Sequence, residues 1–276
     1  MNNFEIAKKN FDLGLSLLLK EKYKEAEIEF LQSLKLMPDR ISTIKNLILI
    51  YVKTKNKNKL TDLIKKLNHL KQKNEIIFAK AYLKYFQEKY DDSIIFCDSI
   101  INKLDKQLEY ETLGLLARCY REKNFFLKAL KVYKKSLLKF KKNAITYSKL
   151  GYLFLEIGKI KKAKIYFEKS KKLNPSDKIN LWNLSFCLLK LKEIKNGFEL
   201  YENRWASFAS SEKKYQNISQ INKIENIKEK NLLIWSEQGL GDNLLFSRFI
   251  ENIIKFTNKI TLQVDGNLEI FKFLFP

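Results

Sequence analysis

Residues 150–175 read LGYLFLEIGKIKKAKIYFEKSKKLNP, from Leu150 to Pro175. The apolar residues recur three and four apart, which places them on one face of a helix, and the pattern breaks near its middle. Two short helices packed antiparallel satisfy such a pattern. The same word occurs 137 positions earlier, where Leu13-Gly14, Ala26, Phe30, Ser33 and Pro38 match Leu150-Gly151, Ala163, Phe167, Ser170 and Pro175. That separation is four periods of 34 plus one residue. A third copy runs Leu116-Ala117, Tyr120, Ala129, Tyr133, Ser136, and a fourth runs Leu184-Ser185, Leu188, Gly197, Tyr201, Arg204, with Ala129, Ala163 and Gly197 spaced by 34. Two weaker copies occupy the remaining slots, at Leu47, Tyr51, Leu60, Ile64, Leu67 and at Ala81, Tyr85, Ser93, Cys97, Ile100. Six copies thus fill the chain from Ala7 to Trp205.

An internal period of this length specifies a solenoid. Gly14, Ala26, Gly151 and Ala163 let paired helices approach closely, while Phe30, Tyr133, Phe167 and Tyr201 fill the space beside them. One hairpin cannot bury its apolar face alone, so each stacks on the next, and Pro38 or Pro175 ends a unit. The pattern resembles tetratricopeptide repeats. The resemblance implies a mostly α chain, an α-solenoid of about six helical hairpins with a concave side, over residues 1–205.

Composition agrees. The chain has 276 residues, 45% hydrophobic, with only three prolines and eight glycines, enough apolar material for a folded core and few breaks. A net charge of +22 would attract polyanions. Only Arg40, Arg118, Arg121, Arg204 and Arg248 carry guanidinium groups, however, and the lysines spread over every repeat. Nucleic acid is therefore not the expected partner, because base and phosphate recognition favour the forked guanidinium. The apolar run Leu13–Leu19 is short and continues into the repeat pattern, so it reads as a first helix and not an export signal. No run reaches the roughly 18 apolar residues of a membrane helix. Cys97, Cys119 and Cys187 each sit in a helical apolar pattern and read as free core thiols of a cytoplasmic protein. His69 is the only histidine, leaving no material for a zinc cluster or a Cys/His pair, and no cofactor is expected.

In solenoids of this kind the first helix of each hairpin faces inward. The last two copies place Tyr152, Leu155, Trp182, Phe186 and Leu189 there, groups suited to an extended or helical peptide, or alternatively to packing on the next repeat. Relatives that clamp a peptide backbone carry an asparagine ladder just before the Leu-Gly position. Here only Asn46 and Asn183 fall in that slot, beside Asp12, Leu115 and Lys149, so no such ladder is expected.

The pattern stops at Ala206, and residues 206–230 read as a polar connector. Asn231 to Ser236 is then a compact apolar run typical of a buried parallel strand. It leads through the turn Glu237-Gln-Gly-Leu-Gly-Asp-Asn243 into a helix over Leu244–Phe256, with Leu245, Phe249, Ile253 and Phe256 on one face, and a second strand over Ile260–Val264. Strand, glycine turn, helix, strand opens a doubly wound sheet, whose ligands sit beyond the strand ends. Position 244 is leucine where a dinucleotide fingerprint needs glycine, which excludes an NAD site.

Gly197-Phe-Glu-Leu-Tyr-Glu-Asn-Arg-Trp205 together with Leu232 to Arg248 resembles bacterial tetratricopeptide proteins that carry a C-terminal glycosyltransferase domain of the two-lobed GT-B kind, and the Gly241-Asp242 turn is similar to heptosyltransferase-like enzymes. The resemblance implies that Asp242 takes the proton of an acceptor hydroxyl. Glu237, Gln238, Gly239, Gly241 and Asn243 would then form the acceptor or phosphate turn. A helix cap is an equal reading of Asp242. Residues 231–276 are 46 positions, against about 100–150 for an independent domain. The expectation is a Rossmann-like start that does not catalyse alone, as a truncated product, a split polypeptide or a degenerate relative, with nucleotide-sugar a ligand only of a completed domain. The two functions expected are a protein-interaction scaffold and the front portion of a glycosyltransferase acting on a protein or glycan hydroxyl.

Overall fold

The computed structural model describes residues 2–70, 73–141, 143–206, 218–219, 221, 224–236, 240–264 and 272. The chain divides into two compact units, Met1–Ala209 and Ser210–Pro276.

The first unit is six hairpins in series: α1 (Asn3–Leu19) with α2 (Tyr23–Leu36), α3 (Ile41–Lys53) with α4 (Lys57–Lys66), and α5 (Asn74–Phe86) with α6 (Tyr90–Ile100). Then follow α7 (Lys106–Glu122) with α8 (Phe126–Lys139), α9 (Ala144–Glu156) with α10 (Ile160–Leu173), and α11 (Lys178–Lys190) with α12 (Ile194–Tyr201). Each first helix packs on its own second helix, and each second helix packs on the next first helix. First helices also meet one another, α3 with α5, α5 with α7 and α9 with α11, which makes them the inner layer of the stack. The α-solenoid read from the period is therefore the fold.

The small-beside-large rule operates as the sequence implies. A Cβ built on Gly14 would lie 2.8 Å from the Phe30 ring, and one on Gly151 would lie 2.6 Å from the Phe167 ring. Any side chain there would drive the hairpin open. Phe30, Phe167, Ala26 and Ala163 are fully buried. In the weaker copy that forms the third hairpin, Ser93 stands in the alanine slot, fully buried, and its hydroxyl donates to the Ala81 carbonyl at 2.8 Å, so the polar replacement costs little. All three cysteines are buried and free.

A second periodic feature lies in the backbone. Glu21, Lys55, Glu88, Asn124, Gly158 and Lys192 have φ between 53° and 73°, and each stands two residues before the second helix of its hairpin. The next residue closes a bond to the carbonyl five positions back, for instance Lys22 to Leu17 at 3.0 Å, Asn56 to Tyr51 at 2.8 Å and Lys159 to Phe154 at 2.8 Å. This Schellman closure satisfies carbonyls left over at the end of the first helix and reverses the chain in three residues. It holds even where the left-handed residue is Lys or Glu, whose Cβ costs roughly 1–2 kcal/mol in that conformation.

In the second unit, β1 (Asn231–Trp235) pairs in parallel with β2 (Lys259–Gln263), Leu232 opposite Ile260 and Ile234 opposite Leu262. The two-stranded parallel sheet agrees with the expected strands to within a residue at their ends. The intervening helix does not. It is two pieces, α13 (Leu240–Ser247) and α14 (Ile250–Ile254), interrupted at Arg248 and Phe249. Leu245, Phe249 and Phe256 consequently do not share one buried face; each is exposed, and Ser247 and Ile250 are the buried residues of this stretch.

Candidate functional site

The inner helices α5, α7, α9 and α11 bring aromatic and charged side chains together. On α7, Glu111, Gly114, Arg118 and Arg121 follow one another at helical spacing on one stripe, and α9 repeats the device with Lys149, Tyr152 and Glu156. Because Gly114 has no side chain, the Lys149 ammonium reaches across to α7; a Cβ on Gly114 would be 3.2 Å from its Nζ. The ammonium also stands 5.9 Å from the Tyr110 ring centre.

Arg118 is held by α5. Its Nη2 donates to the Tyr82 hydroxyl at 2.9 Å, and its guanidinium carbon lies 5.4 Å from the Tyr82 ring centre and 5.1 Å from that of Tyr85. Such stacking suits the weakly hydrated guanidinium and orients it without a carboxylate. Arg118 Nε is buried with no hydrogen-bond partner among the described residues. Arg121, three residues on, is differently engaged: it pairs with Glu122 and, at 3.6 Å, with Glu156, and lies 5.2 Å from the Tyr152 ring centre.

These surroundings shift the titrating groups. Loss of solvent lowers the Lys149 ammonium to about 8, helped by the positive charges of Arg118 and Arg121 and opposed by Glu111. Burial pushes the Tyr133 hydroxyl up to about 12 against the pull of Arg121 and Arg118. Burial also raises the Tyr82 hydroxyl, although Arg118 acts the other way.

The five groove residues expected from the sequence separate into two kinds. Tyr152 is exposed on the inner layer, and the Trp182 and Phe186 rings meet on α11 at 5.4 Å, with Phe186 edge-on to Tyr201 at 6.0 Å. Leu155 instead packs on the core of the last repeats, and Leu189 packs on Gly197, whose added Cβ would come within 2.6 Å of it. Those two are hairpin packing. Asn46 donates to the Ser42 carbonyl of its own helix at 3.0 Å, a local bond and not a ladder rung. The residues that sequence reasoning missed are Arg118, Arg121 and Tyr82. For the two arginines the only signal is the stripe of charged residues at helical spacing on α7, which resembles any solvated helix face until α5 and α9 are placed beside it; Tyr82, on α5, carries no such signal.

Of the turn in the second unit, Glu237, Gln238 and Gly239 lie outside the described residues. Helix α13 already begins at Leu240, so Gly241 and Asp242 are inside its first turn and not ahead of it. Asp242 is thus no N-cap of a helix starting at Asn243; the glycine-rich run winds up earlier than its composition suggests. A Cβ on Gly241 would meet nothing within 4 Å, and Asn243 Nδ2 is buried without a hydrogen-bond partner among the described residues.

Solved structures superpose on much of the chain at low sequence identity. The chain superposes on Pseudomonas aeruginosa PilF with a TM-score of 0.55 at 11% identity, over 76% of this chain and 95% of that one. It matches PilW, described as a widely conserved type IV pilus biogenesis factor, with a TM-score of 0.59 at 17% identity, over 75% and 96%. The fold is a tetratricopeptide-type solenoid. A third match, within the Cut9–Hcn1 hetero-tetramer of the APC/C, has a TM-score of 0.59 at 14% identity and covers 70% of this chain and 37% of that one. At these identities the likeness concerns the fold alone. No family model matches the chain. Protein FlbA of Caulobacter vibrioides is 23% identical over 215 residues, 63% of this chain, and the chain spans about a third, 36%, of that relative's length. Among the described residues no helix is long and apolar enough to cross a membrane, and no cluster of three or more His, Cys, Asp or Glu side chains is placed to hold a metal ion.

Proposed function

We propose that this chain is a protein-interaction scaffold whose inner helix layer receives a peptide segment of a partner. The supporting observation is the row of partly exposed rings on that layer, Tyr152 on α9 followed by Trp182 and Phe186 on α11, flanked by the cationic side chains of α7 and α9. Rigid aromatic groups between helices are efficient anchors because little side-chain entropy is lost when they are covered. The buried free thiols fit a reducing, cytoplasmic setting. Fluorescence anisotropy of labelled ten-residue peptides of mixed aliphatic and charged sequence is the test. Saturable binding that weakens about tenfold in Tyr152→Ala is expected, the usual size for an anchor side chain. Unchanged affinity in that variant would remove the inner layer from the reading.

A second reading, a glycosyltransferase lineage for the C-terminal unit, is favoured by one arrangement: two parallel strands joined through α13 and α14, with Gly241 and Asp242 in the first turn of α13. In that reading Asp242 is the base that accepts the hydroxyl proton of a protein or glycan acceptor, and its carboxylate must be ionised to do so. Sugar release from a radiolabelled nucleotide-sugar panel tests it, with activity expected in a completed transferase and lost about 100-fold or more in Asp242→Asn. Equal turnover in wild type and variant would eliminate the role.

A further inference from the structure

We infer that the inner face between α5, α7 and α9 is selective for acidic peptides, and that a Glu or Asp side-chain carboxylate of the ligand seats between Arg118 and Lys149. The inference rests on the peptide-binding reading above and adds its chemistry.

Three cations converge here, and they are not equivalent. Arg121 is already matched by Glu122 and Glu156. Arg118 and Lys149 have no carboxylate within 4.0 Å among the described residues; the nearest help is the more distant charge of Glu111, felt by both. Arg118 is fixed by stacking on Tyr82 and Tyr85 and by one bond to the Tyr82 hydroxyl, with Nε left over. The Lys149 ammonium, with three donors, stands beside the Tyr110 ring and the bare backbone of Gly114. For Arg118 Nε, a buried donor without a partner among the described residues is a cost that persists until something accepts from it. An incoming carboxylate offers two oxygens, one toward each cation, and relieves the repulsion between them. The glycine at position 114 contributes by clearance: any larger residue would occupy the space into which the ammonium reaches.

The occupant is an acidic peptide and not a free anion because the rings continue the site along the same layer. Tyr152 lies one turn from Lys149, and Trp182 and Phe186 follow on the next first helix. A carboxylate with apolar neighbours on its own chain matches both features at once.

The proposal predicts proton uptake. The main charges that act on Lys149, namely Arg118, Glu111 and Arg121, stand on α7, as does the Tyr110 ring beside it. At pH 8.5 the ammonium, brought down to about 8, is partly deprotonated in the free protein. A carboxylate beside it favours the charged form, so binding draws in a fraction of a proton, and affinity falls as pH rises through 8 to 9.

The decisive experiment is isothermal titration of the whole chain with three N-acetylated, C-amidated ten-residue peptides that differ only in having three Glu, three Gln or three Lys among Leu and Phe. The Glu peptide is expected to bind about tenfold or more tightly than the Gln peptide. Its advantage should disappear in Lys149→Gln and in Arg118→Gln. Titration in two buffers of different ionisation enthalpy should show proton uptake in wild type and none in Lys149→Gln. Should Arg118→Gln fail to fold, Lys149→Glu serves alone and is expected to invert the order in favour of the Lys peptide. Equal binding of all three peptides, still lost in Tyr152→Ala, overturns the acidic selectivity and leaves the peptide reading standing. Absence of binding by any of them overturns both. A phosphoserine peptide preferred more than tenfold over its Glu counterpart would reassign the seat from carboxylate to phosphate.

Discussion

Phe167→Ala is expected to lower the stability of the solenoid by about 3–5 kcal/mol, the range for removing a fully buried aromatic side chain. Phe167 is 0% exposed. Its ring is the body against which Gly151 of α9 closes, and its carbonyl accepts a hydrogen bond from Asn180 Nδ2 of α11 at 3.1 Å. One residue of α10 therefore meets both neighbouring first helices. The cavity left by truncation cannot be refilled from across the interface, because the facing residue is a glycine with no side chain to move. Since each hairpin touches only its neighbours, the loss should be local: urea unfolding followed by far-ultraviolet circular dichroism would become two-stage, with the last hairpins melting first. Leu138, 78% exposed on α8, is the control, and Leu138→Ala should fall within about 0.5 kcal/mol of wild type. A loss below about 1 kcal/mol for Phe167→Ala would contradict the account of how the hairpins close.

Glu27→Ala is expected to cost about 2–3 kcal/mol, for an electrostatic reason. Glu27 on α2 is buried, yet its carboxylate is fully used: the Tyr51 hydroxyl of α3 donates to Oε1 at 3.0 Å, and Lys59 of α4 reaches both oxygens at 2.7 and 2.8 Å. Burial, and then the nearby Glu27 charge, raise the Tyr51 hydroxyl well above its ordinary value, so it remains a donor throughout the accessible pH range. Removing the carboxylate orphans that hydroxyl in the core between the first two hairpins. The double variant Glu27→Ala/Tyr51→Phe should recover about 1 kcal/mol or more, because the stranded donor goes with its partner. Strict additivity of the two single losses in chemical denaturation would show that the two groups do not act as a unit.

Much of this molecule was legible in one dimension. The positions that fell 34 apart, Ala129, Ala163 and Gly197, or 137 apart, Phe30 and Phe167, are the ones where two helices touch, and steric fit between small and large residues is a pairwise rule that survives in the sequence. The weaker copies were legible too, because Ser93 and Leu60 still occupy buried slots. The left-handed residues were not. Glu21, Lys55, Glu88 and Lys192 carry no signature of φ > 0; only Asn124 and Gly158 do, and the strain at the others is accepted because the hairpins on either side fix the turn. The C-terminal helix departs from its apolar spacing for a related reason. Its apolar spacing fits one long helix, but the backbone breaks at Arg248–Phe249 and starts early, at Leu240.

The inner helix layer shows the same division. Tyr152, Trp182 and Phe186 stand at least partly exposed on their first helices, while Leu155 and Leu189, at the same spacing, turn inward to pack. Arg118 and Lys149 are 31 positions apart, and Tyr82 is 36 before Arg118. Periodicity assigns each to a helix face but says nothing of its neighbours on other helices. The sequence alone determined the repeat, the number of hairpins and which residues seal each one, since those depend on contacts repeated at a fixed interval. Tertiary structure alone decided that two cations from successive first helices would stand together with no carboxylate within 4.0 Å among the described residues, because a charge is matched or unmatched by whatever the stacking brings alongside it, and that depends on side chains more than 30 residues away.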